Sequence, residues 1–368
     1  MVALALGAST AIGATIKVPS DAPTIQAGID RAKPGDRVLV APGTYAERIY
    51  IHTSGIQVQG AGANLSVINP SPASSGRARV VTFLNRGSPD SVLEGFTLTG
   101  GNDSRGAEIF TSYAAATIRK CTISKNLAQY GSGGGVYFYG RSSSPTITDC
   151  TISENRADFL AGGIMCASCS PTISNCTVSE NTAAGNFLDG GGGIFCAGDA
   201  VITNCVITGN HTNDAGGGIM ADSSSPTITN CAISNNSADT AGGGIWSFNA
   251  LERFTISNCT ITDNIAGSHA GGIDCEFSSP NITNCTIARN VSKSGAGGIH
   301  YWGASPTLTH CTLSENTTQE RGGGVQCRDE SAPTIRNCIR WGNSPDEVYS
   351  APQWTGGAAL SYCDVQGG

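Results

Sequence analysis

Titratable side chains of both signs follow the glycine-rich phrases in the C-terminal half of this sequence. The candidates for catalysis are Asp222, Asp274, Glu276, His300 and Arg328. Two carboxylates about 5–10 Å apart can act as acid and base, or as acid and nucleophile, in glycoside hydrolysis. The same carboxylates could hold Ca²⁺ against a uronate while His300 or Arg328 moves the proton of a lyase reaction. The alternative is a solvated charge cluster without chemistry. The pattern requires no cofactor and assigns no metal ligand, and Ca²⁺ is the ion it allows.

Aromatic side chains share the positions of these charged residues. Six are candidates for substrate binding: Tyr137, Tyr139, Phe195, Trp246, Phe248 and Trp302. Aromatic residues make up only 6% of the chain, and a row of exposed aromatics on one face marks a binding surface. The preceding loops carry His211, Asp214, His269 and Arg321. These loop residues could wall a groove, although a lone loop histidine is more often solvated than catalytic.

A repeated phrase built around cysteine determines which elements position these side chains. It reads PTITDCTIS at 145–153 and PTITNCAIS at 226–234, and successive cysteines are 26 to 29 residues apart. The nine cysteines are Cys121, Cys150, Cys176, Cys205, Cys231, Cys259, Cys285, Cys311 and Cys338. A repeat of this length that carries strands rather than helices is typical of a solenoid, which grows by adding coils to one continuous core.

The repeat at 226–247 predicts the course of one coil. Thr227, Ile228 and Thr229 alternate in polarity as a half-buried strand does, so Ile228 points inward. Ile233 also points inward, five residues later, which requires a corner between them. Cys231 has the phase of Ile233 and therefore points inward too. Asn236 falls at the next corner, where we predict an asparagine ladder that satisfies backbone groups along the stack.

A third strand follows the glycines of each coil and is called the post-glycine strand below. Three short strands with tight corners predict a parallel β-helix, in which each coil is its own crossover. Neighbouring coils lie about 4.8 Å apart, so Asp222 lies two coils and about 9.6 Å before Asp274. Stacked cysteines point in parallel, which is poor geometry for a disulfide, so we predict a buried ladder of free thiols.

Several segments resemble the pectin-lyase-like right-handed parallel β-helix proteins of secreted and surface bacterial type. The segment VPSDAPTIQAGIDRAKPGDRVLVAPGTY at 18–45 is similar to their opening, and GGGI and NCTIS are similar to their repeats. IRWG at 339–342 with SYCDVQGG at 361–368 resembles a common ending of such arrays. The resemblance implies the right-handed fold but no single activity, because this fold hosts many functions. The polygalacturonase signatures are absent.

The boundaries follow from the same pattern. Residues 1–14 are apolar and small like the remnant of a secretory signal, which predicts a secreted or cell-surface protein. Residues 15–368 are then one β-helix domain, with an N-terminal cap and first coil at 15–60, where Ile25 and Ile29 lie on one face of a short capping helix. Regular repeats fill 117–343, and a C-terminal coil fills 344–368.

The net charge of -7 argues against a nucleic-acid partner. No apolar run is long enough to span a membrane, and we expect a monomer. The favoured function is binding of an extracellular polysaccharide along the post-glycine face, with lyase or glycoside hydrolase action as an open question. A non-catalytic surface adhesin or structural protein is the alternative. Ice binding through the Thr-x-Thr face of the first strand is a minor one.

Overall fold

A computed structural model describes residues 13–70, 78–84, 89–106, 108–141, 143–185, 190–250, 253–350 and 357–365. These residues wind into a parallel β-helix, the predicted fold class, in which strands of successive coils pair in parallel register. The predicted leader lies outside the described residues except for its last two. Within the described part of the chain, no helix is long and apolar enough to cross a membrane.

The first sheet holds the Thr-x-Thr strands, and the second sheet begins after each repeat cysteine. The first sheet has 14 described strands: Thr15–Val18, Arg37–Val40, Gln57–Gln59, Pro89–Glu94, Ala115–Arg119, Thr146–Thr148, Thr172–Ser174, Val201–Thr203, Thr227–Thr229, Thr255–Ser257, Asn281–Thr283, Thr307–Thr309, Thr334–Arg336 and Ala359–Ser361. The second has 13: Gly43–Tyr45, Ser66–Ile68, Thr97–Thr99, Thr122–Ser124, Thr151–Ser153, Thr177–Ser179, Val206–Thr208, Ala232–Ser234, Thr260–Thr262, Thr286–Ala288, Thr312–Ser314, Ile339–Trp341 and Asp364–Val365.

The post-glycine sheet is the third predicted sheet, and a short fourth sheet accompanies it. The post-glycine sheet has 12 described strands: Ile49–Ile51, Val81–Phe83, Ile109–Ser112, Val136–Tyr139, Ile164–Ala167, Ile194–Ala197, Ile219–Asp222, Ile245–Phe248, Ile273–Glu276, Ile299–Trp302, Val325–Arg328 and Val348–Ser350. The fourth sheet has 8 two-residue strands that follow the corner asparagines: Leu127–Ala128, Arg156–Ala157, Thr182–Ala183, His211–Thr212, Ser237–Ala238, Ile265–Ala266, Val291–Ser292 and Thr317–Thr318. Two residues are too few to show the alternation by which a strand is predicted.

Columns of isoleucine and cysteine fill the inside of the coil. Ile228, Cys231 and Ile233, which were predicted to point inward, are all buried. The nine repeat cysteines are buried and free. Their thiols donate to backbone carbonyls, as Cys231 Sγ does to Thr229 O at 3.2 Å. The predicted ladder of free thiols is confirmed.

The predicted asparagine ladder is also confirmed and runs from Asn126 to Asn343. Asn236 shows its pattern. Its Nδ2 donates to Ile207 O at 2.9 Å and to Asn264 Oδ1 at 3.0 Å. Its Oδ1 accepts from the backbone N of Asn210 at 3.0 Å and from Nδ2 of that residue at 2.9 Å. Each asparagine therefore joins three coils through buried hydrogen bonds.

The one helix in the described residues is Ile25–Arg31, the predicted capping helix. Thr24 is its N-cap, and its Oγ1 accepts from Ala27 N at 3.0 Å. The apolar side chains of Ile25 and Ile29 are fully buried. The helix contacts the strands of the first coils, so its apolar face covers the N-terminal part of the core.

Candidate functional site

The post-glycine strands carry two columns of side chains on the face away from the core. The covered column contains Tyr137, Met165, Phe195, Met220, Trp246, Asp274, His300 and Gln326. The outer column contains Tyr139, Ala167, Ala197, Asp222, Phe248, Glu276, Trp302 and Arg328. The register predicted from the repeat is confirmed, because Trp246, Asp274 and His300 pair on successive coils.

The covered column is not exposed, which corrects the expectation of one open aromatic face. Phe195 and Trp246 are each only 4% exposed, and Tyr137 is half-buried. The turns before two of the glycine runs cover this column, because Ala215 and Ala241 pack with the buried aromatic and methionine side chains. Phe195 and Trp246 therefore lie beneath the surface and cannot stack directly on a polymer.

The outer column remains accessible. Asp222, Phe248, Glu276, Trp302 and Arg328 are half-buried and lie on five successive coils. Tyr139 belongs to the same column but lies four coils before Phe248, in a separate group of tyrosines. Asp222 shares the column of Glu276 rather than that of Asp274, so it is two coils from Glu276 and outside the cluster described next.

A buried cluster of ionisable side chains forms where the two columns meet. His300 Nδ1 donates to Asp274 Oδ1 at 2.7 Å. His269 Nδ1 lies 3.2 Å from Asp274 Oδ2 and 3.3 Å from Glu276 Oε1. Asp274 and His300 have no solvent exposure, whereas the side chains of His269 and Glu276 are 31% and 19% exposed. The structure thus brings together three predicted residues, Asp274, Glu276 and His300, around a histidine from the preceding turn.

Two tryptophans fix this cluster. Trp246 Nε1 donates to Glu276 Oε1 at 3.3 Å, so the buried indole orients the partly exposed carboxylate. The Trp302 ring lies 6.1 Å from that of His269 and 6.3 Å from that of His300. The two imidazoles stack at 4.9 Å. Arg328, one coil beyond Trp302, lies 3.6 Å from Glu320 and is not part of the cluster.

The backbone explains why His269 reaches the strand that follows it. In most coils the first glycine of the run has a positive φ, as Gly242 does at 60°. In the coil of Asp274 that position is Ala270, and the left-handed residue is His269 at 51°, one position earlier. The next coil matches, because Gly295 has φ 82° and Ala296 N donates to His269 O. The shifted turn holds the imidazole over Asp274.

Sequence reasoning placed His269 only in the groove wall. The signal that it missed is the phrase Ser268-His269-Ala270, in which alanine replaces the first glycine of the run. The other loop candidates lie elsewhere. His211 belongs to the short fourth sheet and contacts Ser237 Oγ at 2.9 Å. Arg321 packs over the ring of Tyr349.

The protonation of the cluster follows from its contacts. The hydrogen bonds that His269 gives to the carboxylates of Asp274 and Glu276 raise its pKa to about 10, against the opposing effect of burial. Burial raises the pKa of Asp274, but the charge of His300 and the hydrogen bonds of both histidines outweigh burial and leave this pKa below its ordinary value. Asp274 is therefore an anion at neutral pH, and His269 is a cation between two carboxylates.

The arrangement separates the groups that touch solvent from those that support them. Glu276 and His269 are accessible and can exchange protons or hydrogen bonds with a ligand in the outer column. Asp274 and His300 are covered, so they act on a ligand in the outer column only through their neighbours. Within the described residues, His269, Asp274 and His300 are the one group of three or more metal-ligating side chains whose ligand atoms lie within 4.8 Å of one another.

The Thr-x-Thr residues lie in the first sheet, away from this cluster. Their column includes Val201 and Asn281 between threonines. Ice binding through this face stays a prediction.

Comparisons with known proteins agree with the architecture. The model of the family described as right handed beta helix region matches residues 49–213 and 254–363. Among solved structures, the chain is similar to the A-module of mannuronan C-5 epimerase AlgE6 from Azotobacter vinelandii, with 16% identity, a TM-score of 0.56 and 94% of each chain covered. It is also similar to XylC in complex with xylose, with 9% identity, a TM-score of 0.53, and 92% of this chain and 83% of that chain covered.

At these identities the structural likeness shows the fold alone, and no protein among curated sequences matches. The family model covers well over half of the chain, and it covers the strands that carry Asp274, Glu276 and His300. By its sequence and by its coils, this chain belongs to the right-handed β-helix family.

Proposed function

We propose that this protein binds a linear polysaccharide along the outer column of the post-glycine sheet, as an extracellular monomer. The observation that carries the proposal is the order of this column, in which acid, aromatic, acid, aromatic and cation follow on successive coils: Asp222, Phe248, Glu276, Trp302 and Arg328. The coils are about 4.8 Å apart, so a polymer along the axis meets a new side chain at every coil.

The aromatic rings of this column are held in place for stacking. The Phe248 ring stacks on the buried Trp246 ring at 5.6 Å with an interplanar angle of 11°. Trp302 packs against both histidines. Phe248 and Trp302 are two coils apart, about 9.6 Å. Rings that are already fixed lose little side-chain entropy on binding, which favours affinity.

The polar members of the column suit a sugar chain. Carboxylates such as Asp222 and Glu276 accept hydrogen bonds from hydroxyl groups. A uronate carboxylate beside Glu276 would need a cation between the two anions, and Ca²⁺ supplies one with oxygen ligands. Binding should therefore be screened on neutral polysaccharides and on polyuronates, with and without Ca²⁺.

The variant Trp302→Ala tests the binding face. Loss of a buried aromatic anchor typically costs about 2 kcal/mol of binding energy, so we expect binding to the best polysaccharide of the screen to weaken by roughly 30-fold. Trp341→Ala is the matched control, because Trp341 is 55% exposed but lies in the second sheet. Affinity electrophoresis and calorimetry give the comparison. Equal effects of the two variants, or unchanged binding by Trp302→Ala, would show that the polymer does not lie on this column.

A second candidate function is hydrolysis of the bound chain, and the carboxylate spacing favours it. Asp222 and Glu276 lie two coils apart, about 9.6 Å, with Phe248 between them. Inverting glycosidases place their two carboxyl groups about 6.5–9.5 Å apart to leave room for a water, and the backbone spacing of this pair lies at the upper limit of that range. Glu276, with His269 beside it, and Asp222 could then serve as acid and base on opposite sides of a sugar on Phe248.

The variants Glu276→Gln and Asp222→Asn test hydrolysis. Each is expected to lower the release of reducing ends by about 10²–10⁴-fold while polymer binding persists. Asp239→Asn, which changes an exposed carboxylate outside the column, should have no effect. NMR of the first product should show inverted anomeric configuration. If the wild-type protein binds a polymer but cleaves none, the non-catalytic adhesin is the correct function.

A further inference from the structure

We propose that His269, Asp274 and His300 form a binding site for one divalent transition-metal ion of the zinc type, with Glu276 beside it. The candidate ligand atoms are one ring nitrogen of each histidine and a carboxylate oxygen of Asp274, which all lie within 4.8 Å of one another. This proposal goes beyond polysaccharide binding and does not depend on it. It rests on the spacing, chemistry and burial of these side chains.

The spacing of the atoms fits one shared ion. Zinc bonds to imidazole nitrogen and carboxylate oxygen at about 2.0–2.2 Å. Two such ligands around one ion are therefore separated by roughly 3.3–3.6 Å, the distance that tetrahedral angles give with those bond lengths. In the cluster, His269 Nδ1 lies 3.2 Å from Asp274 Oδ2, and His300 Nδ1 lies 2.7 Å from Oδ1 of the same carboxylate. An ion that replaces the Nδ1 protons therefore lies between the carboxylate and the two imidazoles and requires His300 and Asp274 to move slightly apart.

The donor atoms discriminate between ions. Ca²⁺ and Mg²⁺ prefer oxygen ligands, and two imidazoles among three protein ligands disfavour both. Imidazole with carboxylate suits zinc and its neighbours in the first transition row. The Ca²⁺ that the sequence allows at Asp274 and Glu276 is therefore not the ion that this cluster favours. The two carboxylates also match the charge of a divalent cation when both imidazoles are neutral.

The surroundings supply rigidity and a route of entry. Asp274, Glu276 and His300 lie on two adjacent strands of the post-glycine sheet, which fixes their backbones. Trp246 Nε1 donates to Glu276 and holds this carboxylate beside His269. His269 and Glu276 are partly exposed, so an ion can enter from the outer column. His300 Nε2 is buried without a hydrogen-bond partner among the described residues, so the described cluster leaves one polar atom unsatisfied.

Metal titration of the tag-free full chain tests the site. Calorimetry with Zn²⁺ should show one ion per chain, and Co²⁺ should give the visible ligand-field absorption of a four-coordinate site. The variant His269→Asn removes one ligand and keeps a residue that tolerates the left-handed backbone of this position. We expect it to weaken Zn²⁺ binding by at least about 100-fold, because even the loss of an outer partner costs 10–100-fold.

The matched control is His310→Asn, since His310 is exposed and also has a positive φ, of 57°. It should bind Zn²⁺ like the wild-type chain, and circular dichroism should show that both variants are folded. Absence of Zn²⁺ binding by the wild-type protein, or unchanged affinity and stoichiometry in His269→Asn, would overturn the site. Phe248→Ala removes an outer-column ring whose ring contacts are to Trp246 and Phe277. It should retain the metal while it weakens polysaccharide binding, so the two proposals fail separately.

Discussion

An Asn236→Ala variant is expected to unfold with a free energy about 4 kcal/mol below that of the wild-type chain. Alanine removes the two hydrogen bonds that Asn236 Nδ2 donates to Ile207 O and Asn264 Oδ1. It also removes the oxygen that accepts from the backbone N and Nδ2 of Asn210. Each buried polar group that loses its partner costs about 1–3 kcal/mol, and Asn236 lies where no solvent can replace them.

Urea unfolding followed by circular dichroism measures this change. Asn281→Ala is the control, since Asn281 is exposed on a strand of the first sheet and its replacement should change stability by no more than about 0.5 kcal/mol. A loss below about 1 kcal/mol in Asn236→Ala would mean that the ladder contributes little to stability. Asn236→Asp should be at least as destabilising, because it places a carboxylate beside two oxygen atoms.

A Glu108→Gln variant is expected to be more stable than the wild-type chain at neutral pH and equally stable at about pH 4. Glu108 is fully buried, and neither of its carboxyl oxygens has a hydrogen-bond partner among the described residues. Burial raises the pKa of this carboxyl well above its ordinary value, and only the nearby Gly101 backbone opposes the shift. The folded chain therefore keeps a proton that the unfolded chain has released.

The sign of the effect follows from that difference. Between the ordinary pKa and the raised folded pKa, the wild-type chain loses about 1.4 kcal/mol of stability for each unit by which the pH rises. Glutamine does not ionise, so the variant lacks this loss. Unfolding curves at a series of pH values should diverge above about pH 4.5. Glu180→Gln, which changes an exposed carboxylate, should run parallel to the wild-type chain. Parallel curves for Glu108→Gln would mean that Glu108 is ionised in the folded state.

Much of the coil structure could be predicted because the same sequence pattern recurs in many coils. A single coil such as 226–247 shows that Ile228, Cys231 and Ile233 point inward and that Asn236 occupies a corner. The other coils repeat this pattern of inward residues and corner asparagine with small changes. The pairing of Asp274 with His300 on the next coil follows from the same register. These features depend on alternation along a strand and on the distance between coils, both of which sequence spacing contains.

The exposure of the post-glycine face could not be predicted in the same way. Strand phase tells on which side of the sheet Trp246 or Phe195 lies, but it does not tell whether another segment covers that side. The cover comes from turns of irregular length, and its path depends on which residue is left-handed. His269 takes that conformation in place of residue 270, and this single shift creates the cluster around Asp274. Which residue takes the left-handed conformation depends on local backbone geometry, which the periodicity of the sequence does not show.

The asparagine and thiol ladders fix distances along the β-helix axis in whole numbers of coils. Because every coil offers its neighbour the same buried contacts, gain or loss of one coil by recombination would leave the stack joined. The distance between side chains on either side would change in steps of about 4.8 Å. Loss of the coil that carries Phe248 would bring Asp222 and Glu276 from about 9.6 Å to about 4.8 Å. The longer separation is close to that of an inverting mechanism, in which water displaces the leaving group in one step. The shorter separation is close to the about 5–5.5 Å of a retaining mechanism, which uses two displacements. In a β-helix, the number of coils between two carboxylates therefore determines whether their spacing suits hydrolysis with inversion or with retention of configuration.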